Sequence, residues 1–186
     1  MAMKNAQDRY GFIAKLLHWV MAFLILDLVV MGVAMTGLPT GEQKAQIFDA
    51  HKFLGMTAFV LVLLRAGWRL IDTAPRLPAS ISHVQQRLVG VAHGLMYVLM
   101  LIVPVLGALV AQSAGKPVPF FFELPVMVVR DEALHEILAK IHGACAMVLV
   151  GLALAHALVA LAHHWVWKDD VLRRMTRWRR QDLRPR

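Results

Sequence analysis

The stretch from Ile141 to Trp167 contains no Asp, Glu, Lys or Arg and is long enough, as a helix, to cross a bilayer. Yet His142, His156 and His163 recur along it among Ala, Gly, Val and Leu. Fourteen residues at 3.6 per turn bring His156 back to within about 40° of His142 and set the two roughly 21 Å apart along the axis. His163 returns to that face near the end of the run. Ionisable or metal-ligating side chains inside a spanning helix are costly and mark function by default. One helix thus offers imidazoles near both sides of a membrane, which points to two metal centres, one above the other.

The rest of the chain is of the same kind. Hydrophobic residues fill 59% of its 186 positions, a membrane composition with length for a single domain. Apolar runs predict helices at about 12–35, 51–71 and 88–111 ahead of 141–167, followed by a basic tail over 168–186. The first run has the basic flank of a secretory signal, but it is too long for one and carries His18 and Asp27, so it reads as a retained helix. Gly37, Pro39 and Gly41 end it, and the polar connection Thr40 to Ala50 follows. Pro75 and Pro78 mark the loop after the second helix. Pro104 is tolerable inside the third, because a spanning helix re-satisfies a freed carbonyl locally. The longest connection, Gln112 to Lys140, contains an amphipathic piece from Asp131 to Lys140. The lone Cys145 excludes an intrachain disulfide framework.

The net charge of +8 follows topology. Fifteen of the twenty Lys and Arg residues fall in the N-terminal segment, around the connection of helices 2 and 3, and in the tail; five fall in the other two connections. The positive-inside rule then sets both termini in the cytoplasm, as an even number of spans requires. Arg173, Arg174, Arg177, Arg179 and Arg180 read as an orientation signal and a partner for anionic lipid. No nucleic-acid partner is expected, since no aromatic stacking platform accompanies the tail.

In this orientation the histidines sort by depth. His51 and His142 form an outer pair; His18, His93 and His156 form an inner trio. A zinc site usually gathers three or four close ligands, and helix 4 has no Glu-x-x-His motif or acidic residue for a di-iron bundle. Histidines placed one per helix suit a flat macrocycle slotted between helices with an axial ligand from each side. The expected fold is therefore an all-α transmembrane four-helix bundle binding two haem b groups. Gly55, one turn after His51, and Gly143, beside His142, give a porphyrin room or serve helix packing.

The pattern resembles the prokaryotic cytochrome b561 family. The likeness lies in His18-Trp19 early in helix 1, His51 opening helix 2, Arg65 and Arg69, the His93 to Tyr97 spacing and Pro104-Val105-Leu106-Gly107. It continues in His142 and His156 fourteen apart and the run Ala162-His163-His164-Trp165-Val166-Trp167-Lys168-Asp169. The resemblance implies His18 with His156 on the inner haem and His51 with His142 on the outer one. It leaves His93 unassigned, although geometry allows it as a rival inner ligand. It also implies a bacterial inner-membrane protein that passes electrons from a periplasmic donor to the quinone pool, with superoxide oxidation and ubiquinone reduction as the activity.

Quinone reduction consumes protons, so its site needs titratable groups reachable from water. His163 is the first candidate for quinone contact or proton delivery, with His164, Asp169 and Asp170 behind it; otherwise this cluster is an interfacial anchor with Trp165 and Trp167. Arg65, fourteen residues after His51, meets a haem propionate or the quinone by a charge-assisted bond, or snorkels. On the outer side Lys44, Lys52, Lys116, Arg130 and Lys140 offer steering to an anionic donor, but Glu42, Asp49, Glu123, Asp131, Glu132 and Glu136 share that face. Phe120 to Phe122 cap the outer haem or lie in the interface, the second being the preferred reading. Asp27 lies about 180° from His18 near mid-membrane. It is protonated, paired across a helix interface or turned towards another subunit, and has no catalytic role. Two other functions fit the histidines: a cytochrome b anchor relaying electrons for a peripheral redox partner such as a dehydrogenase or hydrogenase, and a histidine-lined metal transporter.

Overall fold

The computed structural model describes residues 2–75, 81–122 and 124–178, all helix and connection. Its elements are α1 (Phe12–Gly37), α2 (Glu42–Ile71), α3 (His83–Ser113), α4 (Glu132–Trp165) and α5 (Val171–Thr176). The first four are each long and apolar enough to cross a membrane. They form a transmembrane bundle in which α1 packs on α2, α2 on α3 and α3 on α4, while α5 folds back against α4. Pro78, Glu123, Arg179 and Arg180, singled out in the sequence, lie outside the described residues.

Three helices begin earlier than their apolar runs. The starts expected near 51, 88 and 141 stand at Glu42, His83 and Glu132. Hydropathy marks where a helix enters hydrocarbon, whereas helix formers and caps decide where it begins. Glu42-Gln43-Lys44-Ala45-Gln46 contains no breaker, so α2 projects beyond its apolar part. Ser82 and Gln85 close a capping box on α3. The Asp131 side chain accepts from Leu134 N–H at 2.9 Å, which makes the amphipathic piece Asp131 to Lys140 the first turns of α4 rather than a loop. The far ends differ less: α1 runs to Gly37, α3 to Ser113 and α4 stops at Trp165. A turn with Lys168 in the left-handed region (φ 52°) separates α4 from α5, a helix not expected in the tail.

The two ends of the bundle are closed differently. At the loop end, Gly115 takes φ 71° to finish α3, and Gln112 holds the α3–α4 connection. Gln112 Nε2 donates to Pro125 O, and its Oε1 accepts from Met127 and Val128 N–H. Ala108, Ala111 and Val118 form the buried apolar cluster there, with Met56 and Leu124 against it. At the other end both described termini meet. Asn5 binds Asp72, at the end of α2, through its backbone N–H, and Thr73 O through its side chain. Lys15 Nζ donates to Arg177 O, Trp19 Nε1 donates to Met175 O at 3.1 Å, and Trp178 packs edge-on to Phe12. Residues 175–178 are thereby strapped across the first turns of α1.

Candidate functional site

His51 of α2 and His142 of α4 stand within electrostatic reach of each other towards the loop end. His142 Nδ1 lies 3.0 Å from the carbonyl oxygen of Val103 on α3. A carbonyl only accepts, so Nδ1 carries the proton and Nε2 keeps its lone pair for a metal. The contact depends on Gly107, one turn further along α3: a Cβ there would stand 3.1 Å from His142 Cε1. His51 lies against Gly32 of α1, where a Cβ would stand 3.5 Å from its Cε1. Its Nδ1 is buried without a well-aligned partner, facing the Leu28 carbonyl. Around Gly55 and Gly143, chain neighbours and the helix's own backbone apart, no described residue comes within 4 Å of where a Cβ would stand, so neither glycine serves packing among the described residues.

Nearer the termini, His18, His93 and His156 converge from α1, α3 and α4. The His18 and His156 ring centroids are 6.3 Å apart, and those of His93 and His156 5.1 Å. Metal–nitrogen bonds of about 2 Å on each side put two trans imidazoles roughly 6 Å apart, centroid to centroid. The first spacing suits an iron between the rings; the second is too short for one. Arg65 lies within electrostatic reach of all three histidines and donates from Nε to the Tyr97 hydroxyl at 2.9 Å; Arg69 adds its charge near His93.

At the same end, His163 Nδ1 and Asp169 Oδ2 are 2.5 Å apart, and Trp167 stacks edge-on to the imidazole at 4.4 Å. Asp169 Oδ1 accepts from Val171 N–H at 3.0 Å. Burial works to raise the Asp169 carboxyl, but the bonds from Val171 and His163 and the nearby Arg174 charge outweigh it and hold the group below its ordinary value. His164 points elsewhere, its Nδ1 buried without a described partner, and Asp170 pairs with Arg173.

The five loop-end cations do not gather into one funnel. Lys52 is held by Asp49 at 2.7 Å and by Pro117 O, Lys44 by Leu38 O, and Lys140 stands beside Glu136. Lys116 and Arg130 line a cleft of about 540 Å³ with Val118, Leu124, Val126 and Val129. Phe120 and Phe121 pack on Phe53, and Phe122 on Phe120. Phe121 and Phe122 are exposed, as interfacial residues would be.

Sequence reasoning missed His135. Seven residues before His142, it repeats that residue's anchoring: its Nδ1 lies 3.0 Å from Val110 O, seven residues after Val103, and the fully buried Ser113 hydroxyl donates to the same oxygen. The seven-residue spacing on both helices was visible as a pattern, but only the packing of α3 on α4 gives it meaning.

Four spans carrying imidazoles in two tiers define a membrane electron-transport haem protein. The chain belongs to the prokaryotic cytochrome b561 family, whose family model matches residues 9–178, and whose members bind haem b. It is similar to cytochrome b561 homolog 2 of Escherichia coli K12, at 28% identity over 180 residues, 94% of this chain and 95% of that protein. It is also 29% identical over 166 residues to cytochrome b562 of Cereibacter sphaeroides, covering 87% and 90% of the two chains. With the probable superoxide oxidase CybB of Yersinia pestis it shares 24% identity over 160 residues, 86% of this chain and 90% of that one.

Proposed function

We propose that this chain is a dihaem b-type cytochrome of the bacterial inner membrane that carries electrons from a periplasmic donor, superoxide in the first instance, to ubiquinone at the cytoplasmic side. The observation that carries this reading is the separation of the imidazoles into two tiers, one with His51 and His142 and one with His18 and His156 at 6.3 Å. In it His51 and His142 hold the outer haem and His18 and His156 the inner one. His93 stays outside the ligand set, because its ring stands too close to His156 to have iron between them. The end that bears both termini faces the cytoplasm, as its Lys and Arg content favours.

Haem iron held by two imidazoles supplies reversible one-electron transfer. The protein's share is orientation and proton handling. Val103 O fixes the tautomer of His142, and Gly107 and Gly32 let α3 and α1 close on the two outer rings. Arg65, oriented by Tyr97, brings a fixed positive charge to the inner tier and meets a propionate or the quinone. Reduction of a quinone to its quinol takes up two protons with two electrons. The His163–Asp169 pair stands at the water-facing end of α4 to deliver them, with Asp169 orienting the ring. Lys116 and Arg130 draw an anionic donor to the outer face. The similarity to a probable superoxide oxidase supports superoxide as donor.

The test uses the purified chain in lipid. Two haems per chain, reduction of both by a superoxide flux and quinol formation without any second polypeptide are expected. Reduction that requires a co-purifying dehydrogenase or hydrogenase subunit would replace this reading with that of a membrane anchor; a colourless, divalent-metal-binding protein would replace it with that of a transporter.

A further inference from the structure

His135 is anchored in the manner of His142, yet the machinery above gives it no task. Its Nδ1 lies 3.0 Å from Val110 O, as His142 Nδ1 does from Val103 O, and the fully buried Ser113 hydroxyl donates to the same Val110 carbonyl at 3.0 Å. A carbonyl only accepts, so Nδ1 carries a hydrogen and Nε2 is left for another partner. That Nε2 bonds to no described residue and is not sealed in by them. Fixing one ring nitrogen and leaving the other open is how a protein orients an imidazole towards a group it is to hold.

Its position says which group. Seven residues make almost two whole turns, so His135 points within about 20° of His142 and stands roughly 10 Å nearer the loop end. The bond from an axial imidazole is normal to a porphyrin, so a haem held by His51 of α2 and His142 of α4 lies along the helices and not across them. Its propionate carboxylates, charged and costly to bury, turn to the nearer water, which is at the loop end. They then come alongside His135. At the inner tier Arg65 is at hand for such a carboxylate, whereas among the described residues no arginine charge reaches His51 or His142. The nearby lysines are engaged: Lys52 is held by Asp49 and Pro117 O, and Lys140 stands beside Glu136. Lys116 and Arg130 belong to the cleft in the α3–α4 connection.

We propose that His135 Nε2 binds a propionate carboxylate of the outer haem and so fastens the loop-end edge of the macrocycle to α4. With the Nδ1 hydrogen given to Val110 O, this bond is made by a second hydrogen on Nε2, and the imidazolium and the carboxylate together carry no net charge. The haem is then held at its iron by His142 and at its rim by a second imidazole of the same helix, both rings being set by carbonyls of α3. Without His135 a bare carboxylate stands near the iron, and its negative charge favours the ferric state. The inference rests on His51 and His142 as the outer haem ligands and is independent of the donor and the quinone.

The experiment uses the haem-loaded protein in lipid nanodiscs, with carbon-13 in the propionate carboxyls of its haem. Midpoint potentials are read by spectroscopic titration, and the labelled carboxylate bands by reduced-minus-oxidised infrared spectra. In His135→Leu the outer midpoint potential is expected to fall while the inner one stays, and a labelled band should move to the frequency of an unbonded carboxylate. His135→Lys, which restores a donor and a positive charge, should return both readings towards the wild type. An unchanged band and potential in His135→Leu, equal shifts at both haems, or a His135→Lys protein that behaves as His135→Leu would overturn the proposal. The haem-to-protein ratio shows that each variant has folded. Where His135→Leu loses the outer haem, His135→Lys decides: a band and potential close to the wild type support the bond, and loss of the haem there too overturns it. His142→Ala separates the two readings. If it keeps the outer haem, the ligand assignment fails and this inference with it; if it loses that haem while His135→Leu changes neither reading, this inference alone fails.

Discussion

The two histidine tiers are built on different principles. At the loop-end tier the helices themselves do the orienting: a Val103 carbonyl fixes His142, glycines at 107 and 32 admit the rings, and among the described residues no arginine charge reaches either imidazole. The tier near the termini has three imidazoles instead of two, Arg65 and Arg69 in electrostatic range, a tyrosine hydroxyl on Arg65 and the His163–Asp169 pair beyond. A site that only passes electrons needs rigid ligands in a uniform setting. One that must also match electrons with protons needs fixed charge and groups that titrate. In the proposed function the proton-coupled chemistry therefore belongs to the end of the bundle where the described termini meet.

The severest challenge to this contrast is ligand removal. His142→Ala and His156→Ala should each lower the haem-to-protein ratio from two to one, with different bands lost from the reduced-minus-oxidised spectrum, while His93→Ala keeps both. If His93→Ala removes the inner haem, the 6.3 Å pair is not the ligand pair. Next comes Asp169→Asn, expected to slow quinol formation by about a hundredfold, in the range of a lost general acid or its orienting partner, while outer haem reduction stays at the wild-type rate. The pH dependence has a definite sign. Because the folded carboxyl sits below its unfolded value of about 4, the contribution of Asp169 is fully present above that value and disappears only as pH falls through the lowered one. The wild-type profile of quinol formation should thus show no loss from this group between about pH 5 and 8.

Gly107→Ala is gentler. The added Cβ, 3.1 Å from His142 Cε1, should cost about 1–3 kcal/mol of stability by overpacking and alter the outer haem spectrum alone. The smallest effect is expected of Tyr97→Phe, which removes one hydrogen bond from Arg65, worth about 1 kcal/mol, and should shift the inner midpoint potential without touching the outer one. An equal shift at both haems would erase the distinction between the tiers.

Much of this was legible in the sequence, because the information was periodic. The fourteen-residue spacing of His142 and His156 needs only the pitch of a helix, and four apolar runs need only counting. Gly55, one turn after His51, left porphyrin room and helix packing equally open, and only the structure shows the space beside it. What could not be read depends on which helix lies against which. Gly107 stood out only as part of a motif, since its purpose is a ring contributed from 35 residues away. Lys15 belongs to the basic flank of the first run, yet it is buried, its ammonium bound to the carbonyl of Arg177. The basic tail looked like charge for lipid, and α5 within it was invisible because six residues carry too little periodicity to reveal a helix.

The strap from α5 to α1 ties one tier of the bundle to a segment far away in sequence. His18 sits between Lys15 and Trp19, and both of these are tethered to carbonyls among residues 175–177. The hydrogen bond that orients His142 comes instead from α3, in the middle of the chain. A disturbance of α5 therefore has a direct route to the inner ligands, whereas the outer ring is fastened by its own helical neighbour alone.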